Sequence, residues 1–173
     1  MPNGELIRII RRQYHLPWSG IHGVAHWARV LENGVRLAER TGANQRVVRL
    51  FAVFHDCGRV NEDYDQFHGR RGAELAATLR GTAFQLSDTE WELFQFACIH
   101  HTDGLTEGDA TVQTCWDADR LDLGRVGIEP DPRYLCTPAA KQLEMISWAY
   151  QRSITRYVPN FIATEWECAV ERG

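Results

Sequence analysis

The sequence lacks any apolar run close to the roughly 20 residues that a membrane-spanning helix needs, so we expect no membrane as a partner. Its first residues alternate charged and apolar side chains, which is not the pattern of a signal peptide. Basic residues are not in excess either, because 19 lysines and arginines face 23 acidic residues, for a formal net charge of −4. This balance argues against a nucleic-acid polymer as a partner, since such proteins carry a basic patch.

The cysteines lack the CxxC spacing of a structural zinc site. They number 5, which is odd, and we therefore expect free thiols in a reducing cytoplasm rather than a disulfide framework. Internal repeats, low-complexity tracts and linkers are also missing. With 173 residues, 44% of them hydrophobic, the chain is predicted to form one domain over 1–173. Its oligomeric state is not readable from the sequence.

No segment shows sustained alternation of period two, so the sequence predicts an all-α fold, a compact multi-helix bundle. Gly42 and Gly81 are expected to stop helices, and Ser87 with Glu90 predicts a capping box. Apolar periodicity and these end signals predict helices over 5–14, 22–42, 45–58, 73–80, 88–101, 111–124 and 141–152.

Histidines and aspartates stand out at the predicted helix ends. His55 and Asp56 close an apolar helix, where burial would be costly unless they are hydrogen-bonded or bind a metal. Of the 7 histidines, only His15 lies outside a polar constellation. The candidate metal ligands come from five segments and are His22, His26, His55, Asp56, His68, His100, His101 and Asp117. Converging helix ends are how helical bundles build metal sites.

Imidazole and carboxylate ligands suit a divalent metal, here Mn, Fe, Zn, Ni, Co or Mg, with one or two ions per chain. A site of nitrogen and oxygen ligands alone leaves positions open for water and substrate, so a catalytic site is indicated. Asp56 could bridge two ions through its two oxygens. Some histidines have simpler explanations: His22 could cap a helix, and His100 or His101 could be solvated at a helix C-terminus.

Two aspartates compete within one predicted helix. Asp117 and Asp119 are two residues apart and point to nearly opposite sides, so only one can face the site. We choose Asp117. Asp119 and Asp122 are then expected to pair with Arg120 or Arg125, or to lie in solvent.

The ordered set of His26, the doublet His55 and Asp56, and the late Asp117 resembles the HD-domain superfamily of metal-dependent phosphohydrolases. The resemblance covers about residues 20–128, with helices over 138–173 expected to pack on that core. It implies an all-α fold, a divalent metal held by those four side chains, and hydrolysis of phosphate esters or anhydrides, often of nucleotides.

Further histidines resemble the second metal site of the HD-GYP branch, which would make His68, His100 and His101 ligands there. The Gly-Tyr-Pro signature of that branch is missing, so cleavage of cyclic-di-GMP is not expected. The overall pattern is similar to that of small stand-alone bacterial HD proteins. The expected partner is a small phosphorylated molecule.

The implied mechanism is attack on phosphorus by a water activated at the metal. Asp56 and Arg29 are the predicted catalytic residues, because Arg29 lies three residues beyond His26 on the same helix face and could bind phosphate. Cys57 is expected to be packed rather than catalytic. Two alternatives stay open: a di-iron, O2-dependent oxygenase on the same fold, and a ligand sensor without turnover.

Overall fold

The computed structural model describes residues 2–167, and within that range it is all-α, without a β-strand. The predicted all-α fold is therefore confirmed. The α-helices are α1 (Gly4–Gln13), α2 (Val24–Thr41), α3 (Gln45–Phe54), α4 (His68–Leu79), α5 (Asp88–His100), α6 (Ala110–Arg120) and α7 (Leu143–Ile154). Short helical turns cover Leu123–Val126, Pro132–Tyr134 and Ile162–Glu167.

Local sequence signals set the ends of these helices. The Asn44 side chain accepts hydrogen bonds from the backbone N–H groups of Arg46 and Val47, so it caps α3. Ser87 and Glu90 form the predicted capping box at the start of α5. Gly42 ends α2 with a φ of 72°, a left-handed conformation that favours glycine.

The core is centred on α2, which packs against α3 and α6, while α3 also packs against α5. Aromatic side chains fill it, and those with no more than a trace of exposure include Trp27, Phe51, Phe54, Phe94 and Trp116. Burying large apolar side chains contributes about 1.5–3 kcal/mol each. The polar end of α3, at His55 and Asp56, is thus anchored by the apolar residues just before it.

Helix α4 lies unusually close to its neighbours. A Cβ atom added at Gly69 would lie 2.0 Å from the Cys98 carbonyl oxygen, and one at Gly72 would lie 2.0 Å from the Phe54 carbonyl oxygen. Only glycine permits this approach of backbone to backbone. The approach sets the first residue of α4, His68, against the ends of α3 and α5.

The C-terminal part packs both on this core and in a second, smaller apolar cluster. Helix α7 contacts α2 and the turn Leu123–Val126, and its Met145 and Ala149 are buried. The Trp166 indole N–H donates to the Pro2 carbonyl oxygen at 3.3 Å, joining the two ends of the described chain. The prediction that 138–173 pack on the core also covered residues 168–173, which lie outside the described residues.

Among residues 2–167, none of the helices combines the length and apolar character needed to cross a membrane.

Candidate metal centre

Two histidine rings meet between α2 and the end of α3. His26 Nε2 lies 3.0 Å from His55 Nε2. Each ring is held through its other nitrogen: His26 Nδ1 donates to Asp122 Oδ2 at 2.8 Å, and His55 Nδ1 faces the Phe51 and Ala52 carbonyl oxygens at 3.2 Å. Both Nδ1 atoms therefore carry the proton of the neutral ring, and both Nε2 atoms carry a lone pair.

A second histidine pair repeats this arrangement between α4 and the end of α5. His68 Nε2 lies 2.8 Å from His101 Nε2. His101 Nδ1 donates to the Cys98 carbonyl oxygen at 2.7 Å, and His68 Nδ1 donates to the Asp65 carbonyl oxygen. All four rings of the two pairs are buried.

Asp56 lies between the two pairs and offers one oxygen to each. Its Oδ2 is 3.4 Å from His26 Nε2 and 3.8 Å from His55 Nε2. Its Oδ1 is 3.0 Å from His68 Nε2 and 3.7 Å from His101 Nε2. The Arg59 Nε–H donates to the same Oδ1 at 3.0 Å.

These contacts fit two divalent cations. Lone pairs of neutral imidazoles that face each other at 3.0 and 2.8 Å repel, unless a proton or a cation lies between them. Each triad, His26–His55–Asp56 and Asp56–His68–His101, is fully buried, and within each triad the candidate ligand atoms lie within 4.8 Å of one another. Ligating histidines characteristically donate their other N–H to a carboxylate or carbonyl, as all four rings do here.

Asp119 is a fourth candidate ligand beside the first triad. Its Oδ1 lies 3.5 Å from His26 Nε2 and 3.7 Å from His55 Nε2. This oxygen is buried and has no hydrogen-bond partner within residues 2–167. A buried carboxylate oxygen without a partner is costly, and a cation beside the two histidines would satisfy it.

The prediction of Asp117 as a ligand is corrected by this arrangement. The Asp117 carboxylate accepts hydrogen bonds from the backbone N–H groups of Cys136 (2.6 Å) and Thr137 (2.8 Å), and from the Thr137 hydroxyl (2.7 Å). It therefore fixes the segment before α7 rather than facing the histidines. Asp119, two residues further on, faces them instead.

Arg29 also differs from its predicted role as a phosphate-binding residue. Its guanidinium donates to Asp122 from Nε (2.6 Å) and NH2 (2.9 Å), and to the Tyr157 carbonyl oxygen from NH1 (3.0 Å). Asp122 binds both Arg29 and His26, so it is not in solvent as expected. Arg29 thus positions Asp122, and Asp122 orients the His26 ring.

Besides Asp117, two predicted ligands lie outside both triads. His100 Nδ1 donates to Asp103 Oδ2 at 2.7 Å, and the side chain keeps 34% of its surface exposed. His22 Nδ1 pairs with Glu62 Oε2 at 2.5 Å, on the His26 side of the site. His101 and His26, which were predicted together with them, are members of the triads.

Burial and charge perturb the groups of the centre in opposite directions. Burial lowers the pKa of His55 to about 3, although the Asp56 charge opposes this shift. Burial would raise the pKa of Asp119, but the charges of His55 and Arg125 outweigh it and bring the pKa to about 2. His55 is therefore neutral and Asp119 ionised near neutral pH, which are the protonation states that metal ligands require.

The lowered pKa of His55 predicts a loss of stability in acid for the metal-free protein. The unfolded chain takes up a proton at His55 near pH 6.5, whereas the folded chain does so only near pH 3. This contribution is thus full above about pH 6.5 and declines as the pH falls toward 3.

We expect the urea midpoint of metal-free wild type, relative to that of His55→Gln, to fall between about pH 7 and about pH 5. The comparison with His55→Gln cancels the contributions of other groups. Parallel pH dependences of the two proteins would contradict the assignment.

Comparisons with known proteins point to one family. The family model of the HD domain matches residues 23–136, more than half of the chain. A crystal structure of a predicted HD superfamily hydrolase from an uncultured Thermotogales bacterium is similar, with a TM-score of 0.65 and 25% sequence identity. That match covers 92% of this chain and 91% of the other. No curated protein matches the sequence.

Proposed function

Because the chain belongs to the HD-domain family, we propose that it is a metal-dependent phosphohydrolase acting on a phosphate ester or anhydride of a nucleotide or related small molecule. The observation that carries the proposal is the two buried triads, each made of two histidines and the shared Asp56. In this proposal the protein acts as a single domain in the cytoplasm, with no nucleic-acid polymer or membrane as partner.

The side chains have distinct tasks in this mechanism. His26, His55, Asp56 and Asp119 would hold one ion, and His68 and His101 would hold a second one with the other oxygen of Asp56. A divalent ion supplies a water of lowered pKa and neutralises charge on phosphoryl oxygens. Burial of the ligands keeps bulk water from competing for the charged groups.

The surrounding residues keep these ligands in place. Asp122 holds the proton of His26 on Nδ1, so that Nε2 stays available. Backbone carbonyl oxygens in the last turn of α3 do the same for His55. Arg59 donates to Asp56 and orients its carboxylate between the two histidine pairs. Rotation of the ligand side chains is thereby restricted before substrate arrives.

The test is phosphate release after metal removal and reconstitution. The chelated protein is reloaded separately with Mn, Fe, Zn, Ni, Co or Mg and offered a panel of nucleotides and simpler phosphate esters. We expect metal-dependent release that falls more than about 100-fold in His55→Ala, since even the outer hydrogen-bond partners of ligands contribute about 10–100-fold. His15→Ala is the matched control, because His15 is exposed. No release with any metal would overturn the proposal.

A second candidate, an O2-dependent di-iron oxygenase, is favoured by one observation. Asp56 offers one oxygen to each of two adjacent triads made of nitrogen and oxygen ligands only, and such ligands also suit iron. Iron in the purified protein, with product formed only in the presence of O2, would support this candidate. Equal turnover without O2 would exclude it.

A further inference from the structure

A cavity of about 240 Å³ is lined by none of the candidate ligands, but two of its lining residues, Arg29 and Arg125, contact Asp122 and Asp119. It opens between the N-terminal end of α2 and the loop after α7. Three arginines line it, Arg29, Arg125 and Arg156, together with aliphatic side chains such as Val24 and Val158. None of the described residues that line it is acidic. All charged residues that line the cavity are therefore cationic, which favours an anionic ligand.

The arginines differ in what they can offer a ligand. Arg29 has its Nε, NH1 and NH2 in hydrogen bonds to Asp122 and the Tyr157 carbonyl oxygen. These bonds use three of its five N–H groups, and its charge is balanced by Asp122. The cationic charge that is left for an anion therefore comes mainly from Arg125 and Arg156.

Arg125 is buried and incompletely paired. Only 8% of its side chain is exposed, and its Nε has no hydrogen-bond partner within residues 2–167. Its NH1 donates to the Asp122 carbonyl oxygen at 3.1 Å, and its NH2 is 3.8 Å from Asp119 Oδ1, beyond hydrogen-bond distance. A buried guanidinium that lacks hydrogen bonds is costly, and an oxyanion bound to its NH2 would supply them.

Arg156 stands at the mouth of the cavity. It is exposed, and its guanidinium makes no hydrogen bond or ion pair to the described part of the chain. Its φ of 52° is the one positive value among the described residues other than glycine. Such backbone is uncommon outside glycine and is often found at functional positions.

We propose that this cavity is the substrate pocket of the centre, and that Arg125 and Arg156 bind the oxyanion of a small phosphate monoester. The inference rests on the proposed function and extends it to a substrate class. Arg125 places that oxyanion next to Asp119, and the aliphatic wall covers the carbon part of the ester. The volume of about 240 Å³ is below the roughly 300–1,000 Å³ of pockets for drug-sized ligands, which favours a compact substrate.

The test is calorimetric titration of the full-length protein with inorganic phosphate, both as purified and after chelation of its metals. We expect saturable binding in both states, weakened about tenfold or more in Arg125→Gln, since hydrogen bonds to charged groups are strong. Arg156→Gln is expected to weaken it about two- to fivefold, as befits an exposed charge.

Matched variants keep the result interpretable if Arg125→Gln folds poorly. Val158→Glu adds a carboxylate at an exposed position of the cavity wall and should also weaken phosphate binding about tenfold or more. Arg40→Gln removes an exposed arginine about 22 Å along α2 from Ala25 and should change nothing.

The outcomes separate the pocket from the proposed chemistry. The pocket assignment would be overturned if the chelated wild type did not bind phosphate. It would also be overturned if Arg125→Gln and Val158→Glu bound phosphate as tightly as the wild type. Phosphate release that persists unchanged in those variants would leave the hydrolase standing and the pocket refuted. Binding as expected in a protein that hydrolyses no phosphate ester would refute the hydrolase and keep the anion pocket.

Discussion

Asp119→Asn is expected to abolish metal-dependent hydrolysis without unfolding the protein. Asp117→Asn is expected to destabilise the fold while the folded protein keeps its metal. Asp119 faces His26 and His55 with an oxygen that no hydrogen bond satisfies, so this oxygen holds no other part of the fold in place. Its removal should reduce turnover by more than about 100-fold. It should change the stability of the metal-free protein little, because the unpartnered carboxylate oxygen is costly whereas the nearby charge of Arg125 favours the carboxylate.

Asp117→Asn removes the charge that three donors of Cys136 and Thr137 share. An amide in its place turns an NH2 group toward an N–H donor, and we expect a loss of about 2–4 kcal/mol in the free energy of unfolding. The folded fraction should keep its metal.

Urea unfolding, elemental analysis and phosphate release on both variants decide between the two aspartates. If Asp117→Asn lost metal while Asp119→Asn kept both metal and activity, the late aspartate of the centre would be misassigned.

The second large effect concerns the number of ions. We expect about two divalent ions per chain in the metal-saturated protein, one for each triad. His55→Ala should lose the ion of the first triad, and His68→Ala that of the second. Asp56→Asn should weaken both, since Asp56 offers one oxygen to each triad.

His100→Ala is the matched control for this experiment. His100 is adjacent to His101 but bonds Asp103 at the surface, so its removal should leave the metal content unchanged. Elemental analysis of metals per chain is the measurement. One ion per chain in the wild type, lost in His55→Ala but kept in His68→Ala, would show a mononuclear centre.

The helices and several of their ends could be predicted from local sequence, because caps and glycine stops act over a few residues. The capping box of Ser87 and Glu90 is the clearest case. Apolar periodicity likewise located the long central helix, whose observed bounds are Val24–Thr41.

The exact ligand at two positions could not be chosen, since the choice depends on which helix face meets partners far away in sequence. His100 and His101 differ by about 100° of helix rotation, and only packing of α5 against α4 selects His101. For the aspartates a signal did exist. Asp119 and Asp122 are three residues apart near the end of α6, which suits two carboxylates directed to one site.

The role of Arg29 illustrates the same limit. The sequence correctly placed it on the His26 face of α2, but its partner Asp122 lies 93 residues further along the chain. Nothing local distinguishes an arginine that binds substrate from one that holds a carboxylate. The incomplete pairing of Arg125, by contrast, is visible only in three dimensions.

The close approach of α4 has a consequence for how this chain tolerates change. Gly69 and Gly72 have no side chain that could bind an ion, yet any side chain there would meet the Cys98 or Phe54 carbonyl oxygen and push His68 away from His101. In a saturation mutagenesis screen for activity, both glycines should therefore be as intolerant as the histidines. A map of intolerant positions would mark them as catalytic, although their contribution is to leave room.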